Sequence, residues 1–401
     1  MGSKVITPRK VGSPDFTLIL VTLALLSLGI VMVLSSSVGH LVGISDSLDK
    51  TDIYKYGKQQ IIWAALGLVI MFFFSKINHK LWKKFAPAII LVGIITLILV
   101  YIPSLGGQTQ RGSARWLNLG FMTIQPSESI KLALAIFLAS TLAERGVKTL
   151  RDVSLPIGVV VVCVGMVVAQ PDLGTTVVIF CTAASMFFAA GIRLRYFLGG
   201  LGLGAAGSFA VIMSTDYMME RVRVWLDPWK FVSGKGYQSV NALLALGSGG
   251  VIGVGLGQGM QKYGHVPENH TDMIFAIIGE ELGLLGTGVV ILLFALFIWR
   301  GLSIANNADN LFSRYLAVGI TCMIGFQTLI NLGVVTGLVP VTGVTLPFIS
   351  YGGSSLTLKL ATVGILLNIS RYAKSKSEAL DPTFVKSQGR FSSHRDGSRD
   401  S

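Results

Sequence analysis

One stretch, YGHVPENHTDMIFAIIGEELG at residues 263–283, sets two histidines and four carboxylates against a long apolar run. His265, Glu268, His270 and Asp272 come just before the run, and Glu280 and Glu281 fall one to two turns inside it. A carboxylate at such an edge suits general-base work, because desolvation raises a carboxyl's pKa and makes it a better proton acceptor. Drawn as a helix at 100° per residue, Asp272 shares a face with Ala276, Gly279, Gly283 and Gly286. That face reads either as a smooth groove for the tail of a lipid whose polar head meets Asp272, or as a stripe that lets a neighbouring segment approach closely. The histidines with Glu268 or Asp272 could ligate a metal, but no strong ligand spacing supports one.

The elements that position these residues are apolar. Of 401 residues, 52% are hydrophobic and only 13% charged, about half the charged share of an ordinary soluble domain. Apolar runs of about 20 residues, each able to cross a bilayer core, recur along the chain. They do not alternate as barrel strands would, so helices are expected. Ten spans are predicted, at about 16–34, 59–75, 82–102, 126–143, 154–169, 173–191, 196–214, 272–299, 314–336 and 345–370. The fold class is an all-α polytopic membrane protein with a ten-helix domain over 15–370. Residues 1–14 form a cytoplasmic N-terminal tail, and 371–401 a polar C-terminal tail expected to be disordered.

With the N-terminus inside, the inner segments carry about twice as many Lys and Arg as the outer ones. Both termini are then cytoplasmic, and the two long outer segments are 103–125 and 215–271. The second lies between the seventh and eighth helices. It interleaves Trp225, Trp229 and Phe231 with Arg221, Arg223 and Lys230, as a segment lying in the interface does. Gln170-Pro171-Asp172 reads as a tight outer turn, and Val240 to Leu246 as a short amphipathic helix.

The net charge of +13 is sorted by topology rather than gathered into a nucleic-acid-binding patch, so no nucleic acid is expected. Cys163, Cys181 and Cys322 sit inside apolar runs. Charges inside spans are costly and usually functional: Glu128 and Lys131, three apart, can pair, whereas Lys359 has no acidic neighbour in sequence. The segment 337–356 has two prolines, four glycines and several hydroxyls at membrane depth. Broken backbone there must be covered by protein or line a cavity.

Taken in order, RGSARWLNLG with IQPSE (111–128), QPDLGT (170–175), the stretch from VWLDPW to GYQ (224–238), VPENHTDMIFAIIGEELG (266–283) and PVTGVTLPFISYGGSSL (340–356) resemble the SEDS family (shape, elongation, division and sporulation). These are the FtsW/RodA/SpoVE peptidoglycan glycosyltransferases. The resemblance covers about residues 12–372 and leans toward the division and sporulation branch. It implies polymerisation of lipid II, the undecaprenyl-pyrophosphate-linked disaccharide-pentapeptide, into glycan strands at the outer membrane face, with undecaprenyl pyrophosphate released and the anomeric centre inverted. The family's essential aspartate falls on Asp272. Arg111, Arg115, Arg221, Arg223 and Lys262 are then outer candidates for the departing pyrophosphate, and Trp116 matches a family tryptophan. Glu128, Lys131, His265, Glu268, His270 and Lys359 complete the candidate substrate site. The sequence requires no cofactor, although a divalent cation, Mg or Mn, fits the chemistry. The implied partner is a single-span class B penicillin-binding protein, a transpeptidase, among other division proteins in the bacterial cytoplasmic membrane at the septum. A lipid II flippase or a non-catalytic division scaffold are the rival functions.

The topology is testable by labelling. A cysteine placed in 103–125 or 215–271 is expected to react with an impermeant maleimide from outside intact cells, and one in 76–84 only after lysis. The opposite pattern would overturn the orientation.

Overall fold

The computed structural model describes residues 12–42, 54–102, 115–118, 123–147, 149–263 and 266–373. The first helix, α1 (Phe16–Val42), begins where the Asp15 carboxylate accepts the Leu18 N–H at 2.9 Å. It is followed by α2 (Lys55–Lys76) and α3 (Lys80–Leu99). A two-residue antiparallel pairing, β1 (Leu117–Asn118) with β2 (Thr123–Ile124), leads into α4 (Pro126–Arg145). Pro126 opens α4, where a missing N–H costs nothing.

Next come α5 (Leu150–Val168), opened by a Thr149/Asp152 capping box, and α6 (Leu173–Ala189), capped by Asp172 accepting from the Thr175 N–H at 3.1 Å. The Gln170-Pro171-Asp172 segment between them is the tight turn expected. Further on, α7 (Leu194–Ser214) leads to the short α8 (Asp216–Leu226), a 3-10 turn (Pro228–Phe231) and α9 (Tyr237–Ser248). The chain ends in α10 (Ile274–Asn306), α11 (Leu311–Val335) and α12 (Gly353–Arg371).

Nine of these helices are long and apolar enough to cross a membrane, and α6, at 17 residues, falls just short of that length. With α6 they are the ten spans expected. The Gly12 N–H donates to the Arg371 carbonyl at 2.9 Å, and the Asp15 N–H to the Ser370 hydroxyl at 3.1 Å. The two ends of the membrane domain therefore lie on one side, as an even number of crossings requires. The Asp15–Arg300 ion pair fastens the start of α1 to α10 on that same side.

Packing is tightest in the centre. α4, α11 and α12 are the most buried spans, α2 lies along α12, and α6 packs on α11. By contrast α7 has no buried residue and touches little besides α6 and α8.

Three of the differences from the sequence expectation change how a span is read. The first span runs to Val42 rather than ending near 34. The tenth begins at Gly353, because residues 345–352 are non-helical, with Pro347 and a left-handed Phe348 (φ 64°) inside them.

The third difference concerns α10, which is broken at Gly283 (φ 65°, ψ −161°), a conformation essentially reserved for glycine. The break corrects the smooth-groove reading of the Asp272 face. Asp272 precedes the helix, and the glycine face is covered by the loop after α9. Gly249 and Leu246 lie against Gly279, and Gly253 against Gly283. Val254 and Gly255 donate backbone N–H groups to the Glu280 and Glu281 carbonyls at 3.0 and 3.1 Å, while Leu284 and Leu285 donate to the Gly250 and Val251 carbonyls at 2.9 and 3.1 Å. The side chains complete the seam: Glu280 accepts the Met260 and Gln261 N–H groups, and Glu281 the Gly257 N–H. The glycines serve close backbone approach, and both glutamates are structural.

Gly283→Ala is expected to lower stability by at least about 1–3 kcal/mol from backbone strain alone. Gly288→Ala, where an added methyl group meets nothing within 4 Å, should be near neutral. Thermal unfolding in detergent checks the pair, and equal melting temperatures would show that the loop does not depend on the break.

Candidate functional site

Asp272 sits in the turn that opens α10, 7% exposed. Its backbone is fixed by Asn331 of α11, whose side-chain amide donates to the Asp272 carbonyl and to the Val344 carbonyl, both at 2.7 Å. Glu268 precedes it in a left-handed conformation (φ 55°), its carbonyl accepting the Thr271 and Met273 N–H groups. The Thr271 hydroxyl lies 3.1 Å from Glu268 Oε2 and 3.2 Å from Asp272 Oδ1. Two carboxylates thus bracket one hydroxyl. His270 is buried and stacked on Tyr56 of α2, with ring centroids 4.5 Å apart, and its carbonyl accepts the Tyr351 N–H at 2.8 Å.

One turn deeper on α11, Gln327 repeats the device. Its amide donates to the Thr345 carbonyl at 3.1 Å, and its oxygen accepts from Lys131 Nζ at 2.9 Å. Lys131 also meets Glu128 Oε1 at 2.7 Å, the pair that the i, i+3 spacing predicts. The partner that Lys359 lacks in sequence is this same Glu128: Lys359 Nζ lies 3.7 Å from Oε2, with the Ser355 hydroxyl donating to that oxygen at 3.1 Å and bonded to Lys359. All three charged side chains are buried. Two ammonium groups share one carboxylate about 8–12 Å below the outer helix ends. The helix face carrying Asn331 and Gln327 joins this cluster to Asp272 through residues 344–345.

The remaining candidates are placed differently. Arg111 and His265 lie outside the described residues. Arg115 is turned onto the α5–α6 turn, donating to the Gln170 carbonyl at 3.0 Å and to the Pro171 carbonyl, and Trp116 beside it is exposed. Arg221 donates to the Val341 carbonyl at 2.6 Å and to the Tyr217 hydroxyl, which ties α8 to the 340–352 segment. Arg223, two residues on, is exposed. Lys262 corrects the sequence grouping: it is buried, with Nζ 2.8 Å from Glu281 Oε1, 2.7 Å from the Gly257 carbonyl and 3.1 Å from the Ser35 hydroxyl. It closes the glycine loop instead of facing outward. Among the described residues, no three of His, Cys, Asp and Glu are grouped to hold a metal ion.

Gln327, Asn331, Tyr56, Tyr351 and Ser355 had not been singled out. The two amides were findable, because Gln and Asn four apart inside an apolar span must point at something polar.

Fold and site together define a polytopic helical membrane protein whose buried polar groups gather near the outer ends of its helices. The chain belongs to the FtsW/RodA/SpoVE family of cell cycle proteins, whose model matches residues 16–375. It is 42% identical over 366 residues to the stage V sporulation protein E of Bacillus subtilis, covering 90% of this chain and 98% of that protein. It is 39% identical to the protein named probable peptidoglycan glycosyltransferase FtsW of Geobacter metallireducens, covering 90% and 95%. A solved chain from a peptidoglycan synthase complex superposes with a TM-score of 0.74 at 28% identity, covering 90% of this chain and 99% of its own. The rod shape determining protein RodA of Thermus thermophilus gives 0.66 at 28% identity, covering 90% and 98%.

The charge count makes a stability prediction. Glu128→Gln leaves two buried ammonium groups uncompensated and is expected to cost on the order of 3–5 kcal/mol. Lys131→Met leaves Lys359 with Glu128 as a balanced pair and should cost clearly less. Melting temperatures of the two variants in detergent decide it, and equal losses would show that Lys359 does not share the carboxylate.

Proposed function

We propose that this protein is a peptidoglycan glycosyltransferase that polymerises lipid II at the outer face of the cytoplasmic membrane, with Asp272 as the general base. The observation that carries the reading is the buried Asp272, held at the outer end of α10 by Asn331 and linked along one face of α11 to a cluster bearing one excess positive charge. Its relatives named peptidoglycan glycosyltransferase support the same activity.

In the reaction, the 4-hydroxyl of one lipid II sugar attacks the anomeric carbon of a lipid-pyrophosphate-linked strand from the side opposite the leaving group. Asp272 takes the hydroxyl proton as the new C–O bond forms. The anomeric C–O bond to pyrophosphate breaks with its electron pair, and undecaprenyl pyrophosphate departs with the centre inverted. The one excess positive charge of the Glu128, Lys131 and Lys359 cluster would favour that anion. A groove of about 500 Å3 between α5, α6 and α7, lined chiefly by apolar side chains such as Val160, Val164, Phe180 and Val211, suits a polyprenyl chain.

Asp272 and Glu268 are two oxygen donors, about the number Mg2+ takes from protein when substrate phosphates supply more. A divalent ion held there would offset the pyrophosphate's charge. The neighbouring synthase complex supports a transpeptidase partner of the class B penicillin-binding type. The similarity to stage V sporulation protein E and FtsW supports a role in division or spore wall synthesis at a septum.

Asp272→Asn is expected to reduce polymerisation by about 10²–10⁴-fold, measured with purified protein, its partner and labelled lipid II, while melting temperature and partner binding persist. EDTA should lower wild-type activity and added Mg or Mn restore it if a metal is held there. Near wild-type rates from Asp272→Asn would remove the base assignment. Transbilayer movement of lipid II without polymer would point to a flippase, and neither activity to a scaffold.

A further inference from the structure

A second cavity lies outside the groups described above. It has a volume of about 500 Å3 and sits between α8, α9 and the turn that follows α11. Tyr217, Trp225 and Tyr237 line it together with the polar side chains Gln238, Ser239 and Thr336. Its charges are already committed. Arg221 is spent on the Val341 carbonyl and the Tyr217 hydroxyl, and Lys235 on Glu220. Lys235 and Glu220 offset each other and the Arg221 guanidinium is held by neutral acceptors, so the lining carries one net positive charge, and a purely apolar ligand would strand the polar wall.

A lining of this kind, with flat aromatic faces, amide and hydroxyl groups and one excess positive charge already hydrogen-bonded within the protein, fits a polyhydroxylated ring system. Such a ligand has apolar C–H faces to set on the aromatic rings and hydroxyl or acetamido edges to hydrogen-bond. Pro267 also borders the cavity, five residues before Asp272. Even a fully extended chain between the two spans only about 17 Å. The walls are fixed by Trp225 Nε1, which donates to the Gly337 carbonyl at 2.9 Å, and by Arg221, so the pocket is pre-formed.

We propose that this cavity is a saccharide subsite that holds the glycan strand at a distance from the bond being made and thereby sets how long the strand grows before release. The assignment of a strand rests on the glycosyltransferase reading, whereas the binding of a saccharide does not.

Two substitutions at half-buried positions in the first turn of α9 test it. Gln238→Trp fills the cavity and Tyr237→Ala removes one aromatic wall. The direct probe is a soluble oligosaccharide of the N-acetylglucosamine–N-acetylmuramic acid repeat, titrated against the purified full-length protein and followed by tryptophan fluorescence or calorimetry. The wild type should bind it, and Tyr237→Ala should bind about two- to tenfold more weakly. With labelled lipid II, both variants should give strands several-fold shorter than the wild type at matched substrate consumption, with melting temperatures within a few degrees of it. No oligosaccharide binding by folded wild type, or unchanged affinity and strand length in both variants, overturns the subsite. Loss of the transpeptidase partner from the variants with strand length intact would assign the cavity to a protein contact instead, and also overturns it. Oligosaccharide binding by a wild type that polymerises nothing would keep the saccharide site and remove the glycosyltransferase reading.

Discussion

A peptide group inside a membrane has no water to bond to, and the non-helical segment 340–352 must find all its partners in protein. Much of the structure answers that demand. Four side chains from three helices reach its carbonyls: Arg221 of α8 takes Val341, Asn331 and Gln327 of α11 take Val344 and Thr345, and Gln60 of α2 takes Ser350. Ser350 folds back to accept the Leu346 N–H, and Tyr351 donates its N–H to the His270 carbonyl. Against this scaffold Gly29 of α1 and Gly174 of α6 lie close enough that a side chain on either would collide with it. The broken segment is the node at which α1, α2, α6, α11 and the outer loop meet.

The site inherits its geometry from that node. Asn331 holds Asp272 with the same amide that holds Val344, and Gln327 holds Lys131 with one end and Thr345 with the other. Movement of the segment therefore couples to Asp272 and to the charge cluster together. Buried pairs of this kind contribute little net stability, since desolvation offsets most of the attraction. Their value is positional: the cluster ties α4 to α12 and, through Gln327, to α11, and keeps one positive charge in excess.

The spans were legible because hydrophobic length is a local signal. The Glu128–Lys131 pair was legible for the same reason, three residues being one helical turn. What stayed hidden was long-range. The partner of Lys359 comes from α4, which no spacing along α12 reveals. Lys262 read as an outer cation because its loop is polar and glycine-rich. The loop in fact folds down against the broken α10, and Glu281 meets it there. The glycines of α10 were equally ambiguous, since a bare face invites either a lipid or a neighbouring backbone, and only the contacts with Gly249 and Gly253 distinguish the two.

The bond between Gly12 and Arg371 carries a topological consequence. With the residues that flank the first and last spans side by side on one surface, spans can be gained or lost by this architecture only in pairs without tearing that contact. The same adjacency lets two copies be joined end to end through a short cytoplasmic linker, with no added crossing and with each copy upright in the bilayer.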